Sequence, residues 1–154
     1  MIDNNKYNIN VLGEPRGKGR PRTCQRGKRV TIYTDSKTKL YEKEVAKACN
    51  YAISNNNVQT YFNNEPLSVN IKAFSTIPKS YTKKRVQAIY NGLEFPTKKP
   101  DIDNIIKIIL DGMNKVMYAD DKQIIYTSAY KLYALDGLPR VEIRVSEFNQ
   151  FELF

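Results

Sequence analysis

Histidine is absent from all 154 residues of the chain. That absence removes Ser-His-Asp hydrolysis, His-Cys catalysis, His-dependent metal nucleases and zinc sites with histidine ligands. Cysteine is nearly absent too: Cys24 and Cys49 are too few and wrongly spaced for a zinc ribbon or disulfide framework, and both are expected to stay reduced in a cytoplasm. No apolar run approaches the roughly 20 residues of a membrane span, and Met1-Ile2-Asp3-Asn4-Asn5-Lys6 lacks the apolar core of a signal peptide. A soluble, cytoplasmic protein without a membrane partner is the expectation.

Negative charge is also scarce. Against 25 Lys+Arg stand 16 Asp+Glu, giving a net charge of +9 and a pI near 9.5. Such a chain attracts polyanions, and its 11 tyrosines supply flat side chains that can lie against sugars or bases. Simple solubility is the plainer reading of the same charge. The length is ordinary for one domain, expected over residues 1–154, able to bury about 70% of its unfolded surface.

Tyr7 to Leu12 alternates as a strand does, and Gly13-Glu14-Pro15 ends it. A flexible basic arm is expected next, since Arg16, Lys18, Arg20, Arg22, Arg26, Lys28 and Arg29 follow without an intervening acid and among three glycines. Val30 to Thr34 reads as a short strand. Asp35 or Ser36 can cap a helix to about Ser54, with Leu40, Val45, Ala48, Ala52 and Ile53 on its buried side. Asn55, Asn56 and Asn57 loosen the chain before a period-two strand from Leu67 to Phe74. A basic helix from Ser80 to Asn91 ends at Gly92, and Pro96 to Pro100 forces an extended approach to Asp101. Ile105, Ile106, Ile109, Met113, Val116 and Met117 predict a core-facing helix between Asp103 and Tyr118. Lys122 to Tyr133 and Arg140 to Phe148 read as strands, joined as a hairpin through Asp136-Gly137-Leu138-Pro139. A small mixed sheet against two main helices, an α/β (α+β) fold, is the result.

Within this basic chain, acids gather at Asp101, Asp103, Asp120 and Asp121. Asp101 and Asp103 lie two apart in an extended lead-in, so their side chains can point the same way and bracket one hard cation. Mg²⁺, with Mn²⁺ as a substitute, suits a sparse carboxylate set that leaves room for water and phosphate. Such a cation activates water and stabilises charge in phosphodiester cleavage. Lys107, four residues after Asp103, can contact the scissile phosphate. Each residue has a plainer role: Asp103 as a helix cap or the partner of Lys107, Asp101 as a turn residue, and Asp120-Asp121 as polar punctuation before a strand.

The block Lys99-Pro100-Asp101-Ile102-Asp103-Asn104, through Lys107 to Asp120-Asp121-Lys122-Gln123-Ile124, closely resembles the RusA family of Holliday-junction resolvases of phages and prophages. Gly13-Glu14-Pro15, Lys18-Gly19-Arg20-Pro21-Arg22 and Tyr33-Thr34 resemble the opening of phage members, while residues 55–97 match loosely. The resemblance implies a small dimeric Mg²⁺ endonuclease of mixed α/β fold, acting in recombination and repair by placing paired nicks in four-way DNA junctions. It further implies catalytic, metal-holding roles for Asp101, Asp103 and Asp121, an essential Lys107, and a neighbouring acidic position at Asp120.

A straight helix over residues 103–117 would hold its ends roughly 20 Å apart at about 1.5 Å per residue. Asp103 and Asp121 of one chain then cannot share a metal, but a two-fold homodimer can bring Asp101 and Asp103 of one subunit beside Asp121 of the other. A bent or shorter helix would instead let the chain double back within one subunit. Phosphates of the junction arms are expected on the basic arm and on Lys79, Lys83, Lys84 and Arg85, or those charges are merely solvated. Two other classes fit the same residues: a non-enzymatic nucleic-acid-binding protein, and a Mg²⁺ enzyme of small phosphorylated substrates, which leaves the basic arm unexplained.

Overall fold

A computed structural model describes residues 6–55 and 61–149. Asn56 and Asn57, expected to loosen the chain, lie outside the described residues. In chain order the elements are β1 (Lys6–Leu12), β2 (Arg22–Arg26), β3 (Arg29–Tyr33), α1 (Ser36–Ser54), β4 (Leu67–Ser75), α2 (Lys83–Tyr90), α3 (Ile102–Met113), a 3-10 turn (Asp121–Gln123), β5 (Ile124–Tyr133) and β6 (Arg140–Glu147). The fold is mixed α+β, as the sequence predicts.

Period-two burial builds the main sheet. Tyr7, Ile9 and Val11 of β1, Leu67, Val69, Ile71 and Ala73 of β4, and Val141, Ile143 and Val145 of β6 all turn to one face. There they meet Val45 and Cys49 of α1 and Ile105, Ile108, Ile109 and Met113 of α3 in one core. Strand order is β1-β6-β4-β5, with β4 parallel to β5 and antiparallel to β6. The expected hairpin between β5 and β6 therefore does not form. Its turn residues allow one, but β6 buries Val141, Ile143 and Val145 on one face and takes the centre between β1 and β4, leaving the less buried β5 on the edge. Local turn chemistry yields here to core burial.

Three further expectations change. α3 stops at Met113 rather than continuing to Tyr118, because Asn114 is extended and Lys115 takes a left-handed φ of 61°. The chain folds back so that the Tyr118 hydroxyl donates to the Leu110 carbonyl at 2.8 Å. Met117 and Tyr118 remain fully buried, which is why their spacing imitates a longer helix. On α1 the inward positions are Thr38, Tyr41, Val45 and Cys49, while Leu40 is 62% exposed. α2 begins only after Thr82, whose hydroxyl accepts the Arg85 amide, and is shorter than Ser80 to Asn91.

Gly112 permits a close contact between α3 and α1. A Cβ at this position would meet Val45 Cβ at 2.8 Å and the Glu42 carbonyl at 3.2 Å. A glycine inside a helix ordinarily costs about 1 kcal/mol against alanine. Here it lets the C-terminal end of α3 seat against α1.

Candidate active site

The lead-in to α3 is held by the edge strand: Lys131 Nζ donates to the Lys98 carbonyl at 2.6 Å. Asp101 then occupies the N-cap position with extended backbone, and Asp103 lies in the first helical turn. The Asp101 side chain makes no capping hydrogen bond, and Asp103, expected as a possible cap, lies inside the helix instead. Both carboxylates are exposed, and neither forms an ion pair among the described residues. The positive end of the α3 dipole favours charge there. Two unpartnered carboxylates two residues apart form an oxygen-donor pair open to solvent.

The loop after β1 is wedged across both helices. Lys18 donates its amide to the Asn104 carbonyl at 2.8 Å, and the Gly19 amide reaches Thr38 Oγ1 at 3.2 Å. A Cβ on Gly17 would sit 3.0 Å from both Asn104 Cβ and Pro100 Cβ; one on Gly19 would sit 2.8 Å from Thr38 Oγ1. These glycines serve close approach. The Lys18 ammonium enters between α1 and α3, bonding Glu42 and lying 2.8 Å from Asp111 Oδ2. Burial pulls the Lys18 pKa down, yet the bonds to Asp111 and Glu42 outweigh it and leave the value raised. Burial likewise pushes Asp111 up, and Lys18 and Lys107 hold it below its ordinary value.

Arg16, Lys18, Arg20, Asp101 and Asn104 line one cleft of about 750 Å³, so part of the basic segment and one expected acid are brought together. Lys107 is close by on α3, but its partner is Asp111 at 3.0 Å, not Asp103. The sequence reading missed Asp111 and Glu42. The spacing of Asp111 four residues after Lys107 carries the signal for the first; the second needs the packing of α1 on α3.

Asp120 and Asp121 stand beyond the other end of α3. Asp120 caps the 3-10 turn, accepting the Lys122 amide at 3.0 Å, and this bond holds its carboxyl below the usual range. Buried Gln123 fastens the turn by donating to the Glu65 carbonyl at 3.1 Å and accepting the Asp120 amide at 3.0 Å. Asp121 remains exposed. Among the described residues no three acidic or thiol side chains come near enough to hold one metal ion. The four aspartates of one chain thus fall into two sets.

The loop expected over Arg16–Arg29 contains a strand. Arg22 and Arg26 lie on β2 and Arg29 on β3, with Lys28 in the connecting turn. In the second basic cluster Lys79, Lys83 and Lys84 are exposed, whereas Arg85 bonds Glu94 and stacks 3.6 Å over the Tyr81 ring. No helix among the described residues is long and apolar enough to cross a membrane.

Known proteins share much of this sequence. The uncharacterized protein YqaN of Bacillus subtilis (strain 168) is 34% identical over 141 residues, covering 90% of this chain and 94% of its own. The crossover junction endodeoxyribonuclease rusA of Lactococcus phage r1t is 34% identical over 85 residues, covering 54% of this chain and 56% of its own. Residues 13–146 match the family model described as Endodeoxyribonuclease RusA. The chain belongs to the RusA family of endodeoxyribonucleases.

Proposed function

We propose that this chain resolves four-way DNA junctions by paired symmetric nicks as a Mg²⁺-dependent homodimer, with each active site shared between subunits. The observation that carries the reading is the division of the aspartates. Asp101 and Asp103 are exposed and in no ion pair among the described residues at one end of α3, while Asp121 follows the other end of this helix, which is about 18 Å long at 1.5 Å per residue. A two-fold arrangement lays the Asp101 and Asp103 end of one α3 beside Asp121 of the partner subunit, with Asp120 next to it.

The donor chemistry fits a hard divalent cation, since only carboxylate oxygens are offered and the chain has no histidine. Bound there, Mg²⁺ or Mn²⁺ supplies Lewis acidity at the phosphate and lowers the pKa of the attacking water. Asp101 and Asp103 hold the cation, and Asp121 completes the set. Lys107, whose side chain is 58% exposed while tethered to Asp111, meets the scissile phosphate and steadies charge on the leaving oxygen. Arg16 and Arg20 on the cleft wall orient the neighbouring phosphates. Arg22, Arg26, Lys28, Arg29, Lys83 and Lys84 take phosphates of the arms. Lys18 and Arg85, already in ion pairs, contribute mainly by holding structure. Two symmetric sites suit two cuts in opposed strands.

One observation favours a second reading, a family member that binds junctions without cutting them: no single chain gathers three carboxylates among its described residues. Incubating the protein with Mg²⁺ and a synthetic four-way junction, with linear duplex and single strands as controls, separates the two. Paired nicks in the junction alone support resolution. Binding without nicks in Mg²⁺ or Mn²⁺ supports the inert reading.

A further inference from the structure

The β2–β3 ribbon is built for contact with something outside the chain. All of its strand residues are exposed, and neither strand packs extensively against another element. A lone two-stranded ribbon is at best marginally stable in water. Its register sorts the side chains: Arg22, Cys24 and Arg26 share one face with Tyr33, Thr31 and Arg29, while Thr23 and Gln25 share the other with Ile32 and Val30. Gly27, at φ 62°, and Lys28 make the two-residue turn of a tight hairpin.

Charge identifies the class of partner. Arg26 stands directly opposite Arg29 beside the turn that carries Lys28, an arrangement that repels unless an anion lies near. Arg26, Lys28 and Arg29 have no acidic partner among the described residues, and Arg22 approaches Asp35 only at 3.8 Å. The apolar pair on the opposite face serves no core, with Val30 62% and Ile32 70% exposed. The ribbon also rises from the lip of the Asp101 cleft, since Arg20, just before it, and Asp35, just after it, both line that cleft.

We infer that this ribbon lies in the major groove of a duplex arm beside the cut, Thr23, Gln25, Val30 and Ile32 on the base edges and Arg22, Arg26, Lys28 and Arg29 on the flanking phosphates. The inference rests on the junction-cutting reading for its substrate. A two-stranded ribbon fits a groove about 12 Å wide and not one of about 6 Å, and methyl groups with one amide suit thymine methyls and base edges. The one aromatic residue of the two strands, Tyr33, stands opposite Arg22 at the end away from the turn, which argues against stacking of a single strand at the tip. Five residues at about 3.3 Å each span roughly 16 Å, or about five base pairs.

The test measures binding without divalent metal, apart from cutting. The full chain, its Arg26→Ala/Lys28→Ala/Arg29→Ala variant and its Val30→Ser/Ile32→Ser variant are titrated with four-way junctions over a range of salt. The first variant is expected to bind at least about 10-fold more weakly, with the salt slope reduced by about 3. Bulky 5-substituents on thymines within about five base pairs of the crossover, which fill the major groove, should weaken the wild type and leave the first variant nearly unaffected. The second variant should lose the preference for thymine in that window. Wild-type affinity and slope in the first variant, or competition by a minor-groove ligand in place of the major-groove substituents, would overturn the inference. Cutting in Mg²⁺ is scored separately, so an uncut junction gripped in this manner counts against the function and not against the ribbon.

Discussion

Lys18 and Asp111, far apart in sequence, meet at 2.8 Å where the loop after β1 crosses α3. The other Asp111 oxygen holds Lys107 at 3.0 Å, so one carboxylate joins the basic segment to the proposed catalytic lysine. Both shifted groups bear on stability. Asp111 is depressed below the carboxylate range, so its contribution is present at neutral pH and is lost as pH falls through that lowered value. Lys18 is raised, so its contribution is complete below its ordinary value and is lost as pH climbs past the raised one. Asp111→Asn should cost about 1–2 kcal/mol at pH 7, between exposed and buried ion pairs. Urea unfolding should show that deficit shrinking below about pH 4; a deficit independent of acid pH would mean that the charge is not the cause.

Gly112→Ala should destabilise the fold despite its better helix propensity. Its new methyl meets Val45 Cβ at 2.8 Å, and overpacking of this kind costs about 1–3 kcal/mol. Adding Val45→Ala opens the space, so the double variant should be more stable than the sum of the two single changes. Denaturant midpoints for the four proteins of that cycle measure the coupling.

Asp101→Asn and Asp103→Asn remove exposed charges that no ion pair among the described residues uses. Folding should be unchanged within about 0.5 kcal/mol. Junction cleavage should fall by at least about 100-fold, the scale of a lost electrostatic stabiliser, while metal-free junction binding holds or tightens. Lys107→Ala should lower cleavage on the same scale. Unchanged cutting by Asp101→Asn would remove that residue from the chemistry.

Much of this architecture was legible in sequence because burial follows simple periods. The alternation Leu67 to Phe74 gave β4, and the isoleucines after Asp103 gave α3. The end of α3 was illegible because Met117 and Tyr118 stay buried after the helix has stopped, so spacing alone does not register the left-handed Lys115. The false hairpin shows the complementary limit: Asp136-Gly137 states that the chain turns, but only competition for the core decides that β6 inserts beside β4. At the site, the aspartates stood out against the basic chain, whereas the commitment of Lys18 to Glu42 and Asp111 depends on glycine contacts between distant segments.

The most direct measurement mixes Asp103→Asn protein with Asp121→Asn protein and follows nicking of a four-way junction in Mg²⁺. Sites shared across a dimer leave one intact and one doubly altered site in each heterodimer, so single-strand nicking should return although each variant alone is inactive. Continued inactivity of the mixture, with subunit exchange verified, would contradict the sharing of aspartates between the two ends of α3.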